Sequence, residues 1–435
     1  SALELGQIDL ASGFVRERLE INDNFTLIPR PQGQATQGVA GNITITSNNG
    51  SIDTTSGTIN SRSPDGSGNI TLNALGDINT GNLTASALNP ETPTRGGDIE
   101  VTSREGEINA TQPIETFSER GAAGSVNLTA EGSIQTETIL SQGTQRGGDI
   151  NIESFSNDSN LARPGKENEV MLPLRRAPEI DAGGALNTFS TEGVAGDVTL
   201  ASPGTITLSG IRSEGQQQGG TVMVTSDIGE INSSGDIDSF SEAGVGGNVE
   251  LNARESVNLA DVSSFGLTES GDLLIQSSRA RVNAGNVTTT APGGDSGSIV
   301  INGEAVGTGD LSSIGTTSAG AISVEATDGS IATYDVEIRS DGTVGALTLR
   351  ATEDVTTGDI SQEAGEGDVN IEVESGGDQN IGDINQVAEE GDATNVQTAG
   401  GDQNIGNVTQ TAGGDGTNVQ TAGGDQNIGN VTQTA

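Results

Sequence analysis

Along most of this chain, apolar and polar residues alternate in short bursts, and each burst opens on a glycine. The pattern is Gly, a small or acidic residue, aliphatic, any residue, aliphatic. It reads GNITI from Gly41, GNITL from Gly68, GDIEV from Gly97, GSVNL from Gly124 and GDINI from Gly148. It continues as GDVTL from Gly196, GTVMV from Gly220, GNVEL from Gly247, GDLLI from Gly271, GSIVI from Gly297, GAISV from Gly320, GALTL from Gly345 and GDVNI from Gly367, with altered copies opening at Gly391 and Gly414. Successive clean openings are 22 to 29 residues apart, except for one gap of 48 that equals two units. Period-two alternation is the strand signal, and the glycines and polar pairs between bursts mark turns.

Each unit holds further strands. A second reads GSIDT from Gly50, GDINT from Gly76, GEINA from Gly106, GSIQT from Gly132, GEINS from Gly229 and GSIAT from Gly329. A third reads IETF from Ile114, IRS from Ile211, IDSF from Ile237 and VSSF from Val262. Three short strands in so few residues make one rung of a parallel β-solenoid, in which each strand pairs with its counterpart one rung on. The predicted fold is all-β, about 15 rungs of 22–29 residues; at about 4.8 Å per rung the stack would be roughly 70 Å long.

The unit is spelled most strictly near the end, where QTAGGDQNIGNVTQTA runs from Gln397 to Ala412 and again from Gln420 to Ala435. Here Gln379, Gln403 and Gln426, Asn380, Asn404 and Asn427, and Gln386, Gln410 and Gln433 fall into columns that can bond along the stack as amide ladders do. Asp378, Asp402 and Asp425 form a parallel column. Carboxylates about 5 Å apart repel unless they are protonated, exposed and screened, or bridged by a cation, and calcium is the cofactor that such a column would take. Elsewhere the repeat dilutes its acids: Asp98 lies between Asn69 and Ser125, and Asp272 between Asn248 and Ser298.

Three regions follow. Residues 1–40 do not fit the repeat and carry apolar Leu3, Leu5, Ile8, Leu10 and Phe14. They read either as a cap over the first rung or as a segment that docks on a neighbouring subunit. Residues 41–375 are irregular rungs, interrupted by a loop insertion at 154–184 in which Val170, Leu172 and Leu174 alternate, one irregular rung plus an excursion. That insertion carries Arg163, Lys166, Arg175 and Arg176, the only basic cluster; it reads as a contact with another copy's acidic face or as a balance for local acids. Residues 376–435 are near-identical rungs. Phe240 and Phe265 lie 25 residues apart, and the expectation is that they stack inside the solenoid rather than form a ligand platform.

Composition narrows the chemistry. Hydrophobic residues make up 31% and aromatics 2%, too lean for a compact core in 435 residues but suited to a narrow solenoid interior; regular Ile and Val placement argues against disorder. With no His and no Cys there is no imidazole base and no thiolate nucleophile, and with a single lysine, a single tyrosine and no tryptophan the acids read as a solvated surface rather than a sugar-cleaving groove. The chain is not read as an enzyme. A net charge of −43 opposes nucleic acid, and no apolar run is long enough to insert in a membrane. Asn-x-Thr tripeptides, as at Asn42 and Asn69, are by-products of strand alternation. The start at Ser1 without a leader reads as a processed product or a fragment.

The order GGDIxI or GNITL, then GxINT, then IxSxG, over about residues 41–375, resembles the repeats of filamentous-haemagglutinin-like proteins, especially long cyanobacterial surface proteins. That resemblance implies a right-handed parallel β-helix, export to the bacterial cell surface by two-partner secretion, and a role in adhesion or surface structure. The family's Asn-Pro-Asn-Gly type secretion motif is not in this chain; Asn89 and Pro90 sit in a turn. The tract QNIGNVTQTA is loosely similar to curlin-type repeats, which build extracellular fibres. The expected function is a non-enzymatic extracellular subunit of a surface filament or sheath that binds copies of itself through solenoid ends, with Val431 and Ala435 on the last rung. An extracellular polysaccharide is a further partner class. The alternatives are a monomeric adhesin stalk that binds a glycan or a cell-surface partner, and a spacer of a larger protein.

Overall fold

The structure, a computed structural model, describes residues 40–156 and 177–435 in full, and before them the backbone of three short strands, Leu3–Glu4, Ile8–Ala11 and Leu19–Ile21. Among the described residues there is no helix, hence none long and apolar enough to cross a membrane, and every strand pairing is parallel. The fold is the expected parallel β-solenoid, about 15 turns in all, grouped in two compact units: Ser1–Gly215 with Val224–Gly229, and Gln216–Met223 with Glu230–Ala435.

In the first unit a representative turn consists of Val126–Ala130, Ile134–Thr136 and Ile139–Gly143. Its strands pair with the turn above as Val126↔Ile150, Ile134↔Ile180 and Ile139↔Leu186. In the second unit Val249–Ala253, Val257–Asn258 and Val262–Gly266 pair as Val249↔Leu273, Val257↔Val282 and Val262↔Val287. A short fourth ladder, not anticipated from the sequence, links the segments after the third strands: Ala122↔Arg146↔Val194 in the first unit and Gln218↔Val245↔Glu269↔Asp295↔Ser318 in the second.

The 48-residue gap holds one turn, not two. Ile150 pairs directly with Val198, and Ile180–Ala182 and Leu186–Ser190 are the second and third strands of that same turn. The extra length lies between the first and second strands. Val170, Leu172 and Leu174 fall outside the described residues. Before residue 40, Leu3–Glu4 pairs from Ile52, Ile8–Ala11 from Ile59 and Leu19–Ile21 from Ile43, so parts of this segment extend all three columns.

Alternation sets the core. In the five-residue strands the first, third and fifth side chains are typically buried and the other two face out. Val126, Leu128, Ile134 and Ile139 are each at most 1% exposed. Each such side chain contributes roughly 1.5–3 kcal/mol on burial, repeated turn after turn.

The third residue of the third strand is often a buried hydroxyl with a specific task. Thr116 and Ser141 donate to the carbonyl of Gly124 at 2.6 and 3.0 Å, and Ser141 accepts from the N–H of Gly148 at 2.8 Å. In the second unit Ser239 joins Gly220 to Gly247, and Ser264 joins Gly247 to Gly271. The opening glycines stack so closely that a Cβ on Gly124 or Gly271 would overlap the carbonyl of the glycine one turn below. That is why each burst starts on glycine.

The same phase overturns one expectation. Phe240 and Phe265 do stack, centroids 4.9 Å apart and planes 12° from parallel, but outside the interior. Ile237 and Ser239, and Val262 and Ser264, point inward, so the phenylalanines one residue on must point outward, where they are half-buried.

Candidate functional site

The surface chemistry of this solenoid is concentrated at its corners. Where the chain turns into a strand, a backbone N–H faces the turn below, and an Asp, Asn or Ser side chain from that turn accepts it. At the corner before the first strand in the first unit, Asn69 N–H donates to Asn42 Oδ1 at 2.9 Å, Asp98 N–H to Asn69 Oδ1 at 3.0 Å and Ser125 N–H to Asp98 Oδ1 at 2.9 Å. In the second unit Asp272 N–H donates to Asn248 Oδ1 at 2.9 Å and Ser298 N–H to Asp272 Oδ1 at 2.7 Å. An Asn, Asp or Ser after the opening glycine is therefore a link in a column of backbone caps, which Ala321 and Ala346 interrupt. Asn42 and Asn69 serve this column, and their tripeptides need no other explanation.

Asp378, Asp402 and Asp425 form the same device before the second strand. Asp378 N–H donates to Asp354 Oδ1, Asp402 N–H to Asp378 Oδ1 and Asp425 N–H to Asp402 Oδ1, each at 2.8 Å. All three carboxylates are exposed. The bonds accepted by Asp378 and Asp402 are charge-assisted, and solvent screens the repulsion along the column. Among the described residues no three acidic side chains converge in an arrangement that could hold a metal ion.

Glycine makes room for each cap. A Cβ on Gly377, Gly401 or Gly424 would collide with Oδ1 of Asp354, Asp378 or Asp402. A third column, before the third strand, runs from Asp236 to Asn430, with the same Gly–Asx spelling except where Ala260 and Tyr334 precede the Asx. The sequence carried this signal as a fixed-period glycine directly before Asx, but it reads as ordinary turn composition until unpaired backbone donors are counted.

Amide ladders run beside the caps in the last turns. Gln403 Nε2 donates to Gln379 Oε1 at 2.8 Å and Gln426 Nε2 to Gln403 Oε1 at 2.6 Å; Gln410 and Gln433 continue the Gln386 column at 2.8 and 2.6 Å. Asn404 and Asn427 build an exposed ladder on Asn380, both bonds 3.0 Å. Gln379, Gln386, Gln403 and Gln410 are each at most 1% exposed, so the interior changes from aliphatic to amide along the second unit. Every one of these bonds has the same polarity: the later turn donates and the earlier turn accepts.

Of the residues expected to make contacts between copies, Leu3, Ile8 and Leu10 lie on the short strands before residue 40, and Leu5, Phe14, Arg163, Lys166, Arg175 and Arg176 lie outside the described residues. Val431 opens the strand Val431–Thr434 and is 48% exposed, and Ala435 follows it, also exposed. One concavity of about 280 Å³ in the first unit is lined by Asp77, Glu107, Glu179 and Asp181 with Asn79, Asn109 and Gln135, and by no aromatic or basic side chain. The described ion pairs are all made by partly exposed arginines, such as Arg350 to Glu372 at 3.0 Å and Arg212 to Glu214 at 2.8 Å. Pairs of this kind contribute little to stability. Compared with protein-family models, curated proteins and solved structures, the chain matches none.

Proposed function

We propose that this chain is a non-enzymatic structural protein of the bacterial cell surface, a subunit of a filament or sheath in which copies meet through the ends of their stacked turns. One observation carries the reading. The turn containing Gly416–Ala422, Gln426–Ile428 and Val431–Thr434 lies in residue-for-residue register on a turn of almost the same sequence, so Gln meets Gln, Asn meets Asn and Thr meets Thr. A unit that binds its own likeness through directional ladders presents, on its far face, the acceptors that another such unit would need. Leu3, Ile8 and Leu10 on one side and Val431 and Ala435 on the other are the positions proposed to meet, with the open strand edges supplying backbone bonds. The Gln379, Gln386 and Asn380 ladders share one polarity, while Asn395 donates in the opposite sense to Asn418 Oδ1, and the parallel pairing of the strands supports head-to-tail rather than two-fold contacts. A matrix polysaccharide is the second partner proposed.

Negative-stain electron microscopy of the purified chain across a concentration series tests this. Filaments that lengthen with concentration are expected. Monodisperse particles at the highest concentration would instead favour an adhesin stalk.

A further inference from the structure

At the corner before the third strand in the second unit, Gly285, Gly309, Gly358, Gly382, Gly406 and Gly429 each stand directly before an Asx. At Gly285, Gly358, Gly382 and Gly406 a Cβ would collide with Oδ1 of the aspartate one turn below. In one turn the glycine is replaced by Tyr334. There the bond from Asp335 N–H to Asp310 Oδ1 is 3.2 Å, whereas the next two in the column are 2.9 and 2.8 Å. The other described side chain at this place, Ala260, goes with a bond of 3.4 Å. Tyr334 is the chain's sole tyrosine and is 70% exposed; its ring has no stacking partner and its hydroxyl no hydrogen bond among the described residues. The fold thus hosts a large side chain where glycine fits better, with neither ring stacking nor a hydroxyl hydrogen bond among the described residues in return.

The surroundings indicate what the ring meets. Gly307 and Ala332 leave the neighbouring outward strand positions low. Asp310, Asp335 and Asp359 stand exposed along the column, each with Oδ1 committed to the N–H above and its second oxygen without a bond among the described residues. No lysine or arginine occurs after Arg350, and Arg339, the fourth residue of the same turn's third strand Val336–Ser340, is paired with Glu337. An aromatic face flanked by carboxylates is a receptor for ammonium or guanidinium groups.

The geometry points to Tyr334, with Asp310, Asp335 and Asp359, as a lateral docking surface for a cationic segment of a second copy of this chain, the stretch that carries Arg163, Lys166, Arg175 and Arg176. Those four cations fall within 14 residues that hold two acids, Glu167 and Glu169, a net charge of +2 in a chain of net −43, and complementarity of charge selects them. The inference rests on the self-assembly reading but adds a side-to-side contact, separate from the ends.

The test is binding of a fluorescent synthetic peptide of residues 157–176 to the full chain at low salt, read by anisotropy, beside the thermal midpoint of each variant. The parent binds the peptide, and about 0.5 M NaCl releases it. Tyr334→Gly lowers affinity by at least about tenfold while raising the midpoint, because glycine restores the corner. Tyr334→Phe retains the binding. Asp335→Asn keeps an Oδ1 acceptor, as Asn286 does, yet weakens binding and flattens its salt dependence. A parent chain that ignores the peptide, a glycine variant that binds it unchanged, or a glycine variant that melts lower would each overturn the proposal. Peptide capture requires no polymer, so capture by a chain that stays monomeric would sink the filament reading alone, and filaments without capture would sink this one.

Discussion

Before the second and third strands of the second unit, a glycine followed by Asp or Asn is a single device: the glycine leaves a gap and the Asx of the turn below fills it to reach a backbone N–H. The physical need is that a corner N–H has no strand partner, and an unpaired backbone donor costs about as much as a lost hydrogen bond. Gly382→Ala should therefore push the new methyl onto Asp359 Oδ1 and break the 2.8 Å bond to Asp383 N–H. The expected loss is about 1–3 kcal/mol. Asp359→Asn keeps the acceptor and should stay within about 0.5 kcal/mol of the parent. Urea denaturation of the two variants side by side checks this, and equal stability would mean that the glycine column is only turn chemistry. The sequence showed the aspartates in columns and made their repulsion visible. It could not show the N–H that each one holds, because that donor belongs to the backbone of another turn.

At the scale of the strand, one register position carries hydroxyl in most turns and amide in the last. Ser313 is followed by Ile338 and then by Gln362, Gln386 and Gln410, all buried. Gln362 Nε2 takes over the hydroxyl's role, donating to the carbonyl of Gly345 at 2.7 Å, while its Oε1 has no partner beside Ile338. Gln410 is better served: it donates to Gln386 Oε1 and to the carbonyl of Thr417, at 2.8 and 3.0 Å, and accepts from Gln433. Gln410→Ala should lower stability by about 2–4 kcal/mol, through a cavity and two stranded amides, whereas Asn404→Ala on the exposed ladder should lower it by less than about 1 kcal/mol. Hydrogen exchange of the last turns would register the first variant and barely the second. The amide columns were legible because identical residues recur at the unit's own period. The phenylalanines were misread because size was weighed above phase: once Ile237 is inside, period two sends Phe240 out, whatever its hydrophobicity.

Across the whole molecule, strand type, parallel pairing and turn number followed from glycine-led aliphatic pairs, since only a stack gives every pair the same neighbours. The 48-residue gap equals two units in length yet reads as one irregular rung plus an excursion, and the described strands form one turn there. Charge gives the last prediction. The chain carries sixty-one acidic against eighteen basic residues, and acids such as Asp354, Asp378, Asp402 and Asp425 stack at intervals of one turn, about 4.8 Å, well inside a Debye length of about 10 Å at 0.1 M salt. Self-repulsion should then be relieved by salt of any kind, and the thermal midpoint should rise between about 10 mM and 0.5 M NaCl. Calcium bridging of Asp378, Asp402 and Asp425 predicts something more: a rise at low calcium that magnesium at matched ionic strength does not reproduce. Each of the three lies in a file where Oδ1 of Asp378 and Asp402 is already bound to the N–H above, so the expected result is equal effect of the two cations. Asp402→Asn separates the cases by sign. If screening governs, the variant keeps its cap, loses one like charge and melts higher at low salt, with the difference vanishing at high salt. If a calcium ion sits on the column, the same substitution removes a ligand and the variant melts lower than the parent in calcium.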